Sequence, residues 1–87
     1  GADFSDVNLS GADLSGANLI YGIMRGADLQ GANLHGADLG GTDLSEANLQ
    51  EADLREANLR GTDMSDVKYN ENTKFPEGYD PDVMSFW

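Results

Sequence analysis

Gly26-Ala27-Asp28-Leu29-Gln30-Gly31-Ala32-Asn33-Leu34-His35-Gly36-Ala37-Asp38-Leu39-Gly40-Gly41-Thr42-Asp43-Leu44-Ser45 repeats every five residues, and the meaning of that period decides the fold. Extended both ways, the large apolar position recurs at Phe4, Leu9, Leu14, Leu19, Met24, Leu29, Leu34, Leu39, Leu44, Leu49, Leu54, Leu59, Met64 and Tyr69. A small residue stands two positions before each of them, from Ala2 to Val67, giving fourteen repeats without an insertion.

Period five suits neither regular element. Five steps of about 100° carry the leucines around a helix without forming a stripe, and along a strand they alternate between faces. Glycines in the repeat also weaken a long helix by about 1 kcal/mol each relative to alanine. A short extended piece followed by a turn, repeated, satisfies the pattern. Each leucine and the small residue two before it then share a face, while Gly, Asn, Asp and Ser supply the turns.

The repeated Ala-(Asp/Asn)-Leu unit, in register from Ala2 to Glu71, resembles the pentapeptide-repeat family. The resemblance implies an all-β fold, a right-handed quadrilateral parallel β-helix in which four pentapeptides make one coil. It implies that the leucine position and the small residue point inward, the other three positions outward. Fourteen repeats then make about three and a half coils, a column roughly 17 Å tall at about 4.8 Å between stacked strands.

The residue before each leucine tests the twenty-residue coil. It runs Asp3, Asn8, Asp13, Asn18, Ile23, Asp28, Asn33, Asp38, Asp43, Asn48, Asp53, Asn58, Asp63, Lys68. A coil of twenty stacks Asp13–Asn33–Asp53, Asn18–Asp38–Asn58 and Asn8–Asp28–Asn48–Lys68, and opposes like charges only at Asp43 and Asp63. A coil of fifteen stacks Asp13–Asp28–Asp43. Like charges directly opposed on neighbouring strands are destabilising, so four sides are favoured over three.

The 87 residues suffice for one small domain, and repeat stacking supplies the core that so short a chain otherwise lacks. No cysteine is present, which removes disulfides, thiolate metal sites and a cysteine nucleophile. The net charge of −11, with only Arg25, Arg55, Arg60, Lys68 and Lys74 as cations, argues against direct binding to nucleic acid or anionic membrane. No apolar run reaches the roughly 18 residues of a membrane span, and no leader pattern is seen. A cytoplasmic location is expected, or a lumenal or periplasmic one if a leader has been removed.

Two segments are expected: the β-helix over 1–71 and a capping tail over 72–87. Pro76 and Pro81 cannot donate ladder bonds, so they suit a chain leaving the column. Lys74-Phe75-Pro76-Glu77-Gly78-Tyr79-Asp80-Pro81 is similar to tails that follow the repeats in cyanobacterial members of the family. Phe75 and Tyr79 are the expected cap over the last coil. Phe86 and Trp87 are candidates for protein contact, and a homodimer through one end of the column or through the tail is the expected mode of self-association.

Chemistry is sparsely signalled. His35 falls in the outward stack Ser15–His35–Arg55 with no carboxylate forced beside it, and the outward serines lack an activating base. The acidic pairs Asp43/Asp63 and Glu46/Asp66 supply too few converging oxygens for a hard cation. The expectation is therefore no enzyme, no cofactor and no metal. One outward patch departs from the pattern: Ile20, Tyr21 and Ile23 replace the usual Ser, Gly and Asp, with Gly41 and Gly61 above Tyr21. A cluster of exposed apolar side chains marks a protein contact site. The favoured function is a structural or protein-interaction module of unknown partner. The alternative, implied by the resemblance, is an acidic DNA mimic that binds a type II topoisomerase such as gyrase, as some long members of the family do.

Overall fold

The structure is a computed structural model, and it describes residues 1–82. Parallel bridges join each residue before a leucine to its counterpart twenty residues later, from Asp3–Ile23 and Asn8–Asp28 through Asp43–Asp63 and Asn48–Lys68. Successive bridges fall five residues apart, so each coil has four sides. Strand structure is confined to these isolated bridges, with a turn between each pair and no extended strand among the described residues.

Three backbone bonds hold each side from Asp3 to Asp43 to the next coil. Leu9 N donates to Asp28 O at 2.7 Å, Asp28 N donates back to Val7 O at 3.0 Å, and Gly11 N donates to Gln30 O at 2.9 Å. Every bridge residue thus aims both its N–H and its C=O at the coil below. The turns are closed by the small residue donating to the preceding leucine carbonyl, as Ala32 N does to Leu29 O at 2.9 Å. The turn residue before the small residue has positive φ from Asp6 to Asp66, between +69° at Gly31 and +55° at Asp66. A type II turn demands that sign at its third residue, which is why glycine dominates there.

The Asp/Asn position has a second use that the sequence reading missed. Its side-chain oxygen accepts the N–H two residues on, as in Asn33 Oδ1 from His35 N at 3.0 Å and Asp38 Oδ1 from Gly40 N at 3.1 Å. Where serine follows, its hydroxyl donates to the same oxygen, as Ser15 Oγ does to Asp13 at 2.7 Å. These short polar side chains brace the turns. Ile23 carries no oxygen, so the turn at Arg25 lacks this brace.

The core is a ladder of leucines closed by alanines. Met24, Leu29, Leu34, Leu39, Leu44, Leu49 and Leu54 are fully buried, with Leu59 and Met64 close behind. In the first coil Phe4, Leu9, Leu14 and Leu19 are only partly buried, since none of the described residues stacks beneath them. Threonine at an inward small position bonds downward: Thr42 Oγ1 donates to Leu19 O at 2.6 Å and Thr62 Oγ1 to Leu39 O at 2.7 Å.

The top of the column corrects two expectations. The ladder does not end at Glu71, because Lys74 bridges Asp53 one residue out of step. Asn70 absorbs the extra residue: its side-chain Oδ1, in place of a backbone carbonyl, accepts Glu51 N at 3.1 Å. Thr73 then takes the inward small position, its hydroxyl donating to Leu49 O at 2.8 Å, and Phe75 falls where a leucine would stand. Tyr69, expected in the core, is 36% exposed, because no further coil stacks on it among the described residues. Its hydroxyl donates to Asp82, its ring meets Phe75 edge-on at 5.6 Å, and Phe75 stacks with Tyr79 at 5.3 Å. Tyr79 is 8% exposed. Three aromatic rings thus lie at the C-terminal end.

Candidate functional site

Ile20, Tyr21 and Ile23 gather around one corner of the column, where the first coil passes into the second. Tyr21 occupies the positive-φ turn position and is 73% exposed, with Ile20 at 36% and Ile23 at 40%. The ring of Tyr21 lies along Gly41: a Cβ added to Gly41 would sit 2.4 Å from Cδ1 of the tyrosine. Gly61 follows one coil higher, with the position of its absent Cβ 3.8 Å from the Gly41 backbone. Beside the ring runs a shallow groove of about 450 Å³ lined by Ile20, Asp38, Gly40, Asn58 and Arg60. Its floor is flat because the Gly40-Gly41 turn carries no side chains. Asp38 and Asn58 are tied together, Asn58 Nδ2 donating to Asp38 Oδ1 at 2.9 Å.

The charged groups elsewhere are arranged as surface pairs. Arg25 Nη2 lies 2.5 Å from Glu46 Oε2, and its Nη1 donates to Ser45 Oγ at 3.3 Å. Arg55 grips Asp53 with two bonds, at 2.9 and 2.7 Å. That side-chain hydrogen bonding holds the Asp53 carboxyl down at about 2. Serine hydroxyls lower Asp3, Asp13 and Asp63 by the same kind of contact, Ser5, Ser15 and Ser65 being the donors. The Tyr69 phenol is raised, chiefly by its hydrogen bond to Asp82, and burial raises Tyr79.

His35 departs from expectation. Its Nε2 stands 3.1 Å from Glu56 Oε2, a residue one coil up and one position along, so a carboxylate does lie beside it. No serine hydroxyl is among its described partners; the serines at the brace positions bond to Asp or Asn instead. Among the described residues, no three His, Asp or Glu side chains converge to hold a metal ion, and no helix is long and apolar enough to cross a membrane. Phe86 and Trp87 lie outside the described residues.

A coil of twenty residues, four turns per coil, most of them braced by Asp or Asn, and a leucine ladder inside define a β-solenoid. A family model for pentapeptide repeats matches residues 1–36 and 27–66, and the chain belongs to the pentapeptide-repeat family. Membership and the solved relatives imply the right-handed sense of the β-helix. Rfr23, a pentapeptide-repeat protein of the cyanobacterium Cyanothece 51142, is 37% identical over 84% of this chain and 53% of its own, with a TM-score of 0.74. A pentapeptide-repeat protein of the Arabidopsis thaliana thylakoid lumen is 36% identical over 87% of this chain and 56% of its own, also with a TM-score of 0.74. One from Nostoc PCC 7120 is 38% identical over 91% of this chain and 74% of its own, with a TM-score of 0.52. The chain therefore spans little more than half the length of the first two. No curated protein matches it.

Proposed function

We propose that this chain is a non-catalytic protein-interaction module whose contact surface is centred on Ile20, Tyr21 and Ile23. The observation that carries the reading is Tyr21 itself. A non-glycine residue at positive φ costs about 1–2 kcal/mol, and a bulky one more than the Asp and Glu that share this turn position elsewhere. Tyr21 nonetheless stays 73% exposed, so burial returns little of that cost. Ile23 adds to it by leaving its turn unbraced. Backbone strain kept at an exposed aromatic points toward an external contact, and aromatic side chains are common binding anchors.

The acidic-mimic alternative draws on the net charge of −11, and the exposed apolar corner at Ile20, Tyr21 and Ile23 has no part in it.

The test compares Tyr21→Gly with the parent in partner capture and in thermal melting. The expected result is lost capture with a melting temperature at or above the parent's. A marked fall in melting temperature with capture intact would make Tyr21 a structural residue and overturn the reading.

A further inference from the structure

We propose that the Tyr21 contact site, on whose existence this inference rests, takes a basic segment of a partner protein. The segment is extended, sets an aromatic or aliphatic side chain on Ile23 and Tyr21, and places a lysine or arginine two residues along over Asp43 and Asp63. The four vertical ladders of bridge residues are unlike in charge. Three alternate acid with amide, and the amide donates across the coils, as Asn58 Nδ2 does to Asp38 Oδ1 at 2.9 Å. The fourth reads Asp3, Ile23, Asp43, Asp63 and holds no amide. Asp43 therefore stands directly under Asp63, and like charges opposed on neighbouring strands are destabilising. Their hydrogen bonds are local, from Ser45 and Ser65 to the Oδ1 atoms. Neither carboxylate is in an ion pair among the described residues.

The apolar patch borders this unbalanced side. Ile23 lies within it, bridged to Asp3 below and Asp43 above, and is 40% exposed. Asp6, Glu46 and Asp66 take the turn positions at its far corner, where Arg25, the side's one cation, is already engaged by Glu46. On the other flank of Tyr21, the repeats of Asn18, Asp38 and Asn58 carry one acid, Asp38, and one cation, Arg60. The excess negative charge thus lies on the Ile23 flank of the patch, and a cation on the partner complements it.

Spacing sets the pattern on the partner. Stacked coils stand about 4.8 Å apart, so Asp43 lies one such step above Ile23 and Asp63 lies two. Alternate side chains of an extended segment share a face about 7 Å apart. With the apolar side chain on Ile23, the cation falls between the two carboxylates and relieves their opposition. Exposed ion pairs contribute little apiece. The apolar contact therefore supplies the hold, while the acids choose the sign of the partner and speed its approach. A purely acidic mimic would accept a basic surface without an apolar anchor; here the two are required at a fixed separation.

The experiment selects binders to the full chain from random linear peptides displayed on phage, then titrates the enriched peptide by fluorescence anisotropy. Enriched peptides are expected to carry lysine or arginine two positions from an aromatic or aliphatic residue. Asp43→Asn/Asp63→Asn keeps both turn braces, since Asn8 accepts Ser10 N and Oγ in the same manner. It is expected to weaken binding by about tenfold, with a melting temperature at or above the parent's. Added salt is expected to weaken the parent's complex and to affect that of the double variant much less. Asp28→Asn, on a ladder where Asn48 Nδ2 already donates to the acid at 3.5 Å, is expected to leave binding unchanged. No enriched peptide, enriched peptides without a cation, or binding indifferent to salt and to the double variant overturns the proposal. So does an equal loss on Asp28→Asn. Loss of binding on Tyr21→Gly with indifference to Asp43→Asn/Asp63→Asn keeps the contact site and rejects the basic partner, while the reverse pattern rejects both.

Discussion

The ring of Tyr21 fills the space that a side chain on Gly41 would need, with Cδ1 2.4 Å from where a Cβ would stand. Two residues twenty apart in sequence thus decide each other's identity. Gly41→Ala is expected to push the ring off the column and to place alanine at φ +66°. The loss of stability should be about 1–2 kcal/mol from the backbone alone, read as a lower melting temperature together with weaker partner capture.

Ile23→Asn should separate patch from scaffold. An amide at this position can accept the Arg25 N–H as Asn33 does for His35, a bond worth about 0.5–1.5 kcal/mol net. The expected outcome is a melting temperature equal to or above the parent's, with reduced partner capture.

Core truncation should be graded by height. Leu39 is fully buried, and Leu39→Ala is expected to leave a cavity and cost about 2–5 kcal/mol. Leu14, only partly buried in the first coil, should cost less on the same change. Equal losses in denaturant titrations would contradict the unequal burial.

Thr62→Val keeps shape and removes the hydroxyl that donates to Leu39 O at 2.7 Å. That carbonyl lies where Thr42 N still donates to it, so nothing is left unpaired. The expected cost is about 0.5–1.5 kcal/mol, checked by chemical denaturation.

Acid should loosen the column late. Asp53 sits at about 2 in the folded chain, against about 3.9 when unfolded. A lowered folded value means that its stabilising contribution is complete above about pH 4 and is lost as pH falls toward about 2. Asp3, Asp13 and Asp63 are shifted in the same direction. Melting temperatures between pH 5 and pH 2 should therefore decline most steeply at the acid end, and Arg55→Ala should move the decline attributable to Asp53 to higher pH.

The sequence revealed the ladder because its signal is redundant: thirteen neighbours confirm what any one leucine suggests. The alternation of Asp and Asn carried the coil length for an electrostatic reason, since charge stacks at twenty residues and clashes at fifteen. The same residues concealed their second task. An exposed aspartate reads as a solvated charge, although a short side chain with an acceptor oxygen just before a turn was the available sign of a brace. The step at Asn70 was illegible because no five-residue pattern anticipates a side chain replacing a backbone carbonyl. Once that step is taken, Thr73 and Phe75 fall back into the repeat, and Tyr69 is left near the rim. His35 was misjudged for a related reason: vertical stacking predicts Arg55 above it, whereas a long Glu56 side chain reaches across from the neighbouring column of residues. At the candidate site, the apolar outliers Ile20, Tyr21 and Ile23 and the paired glycines above them were plain in the letters, but the strain at Tyr21 was not.

The bridges that set the coil at twenty residues also bear on how the chain folds. Each new coil must close a loop of the same length whether it is the second or the last, so the entropic toll of adding one does not grow with column height. The gain in each step comes from the coil just below. Folding should then resemble accretion on a growing edge, with a single slow event, the docking of one coil on another, followed by quicker additions that differ only in their side chains.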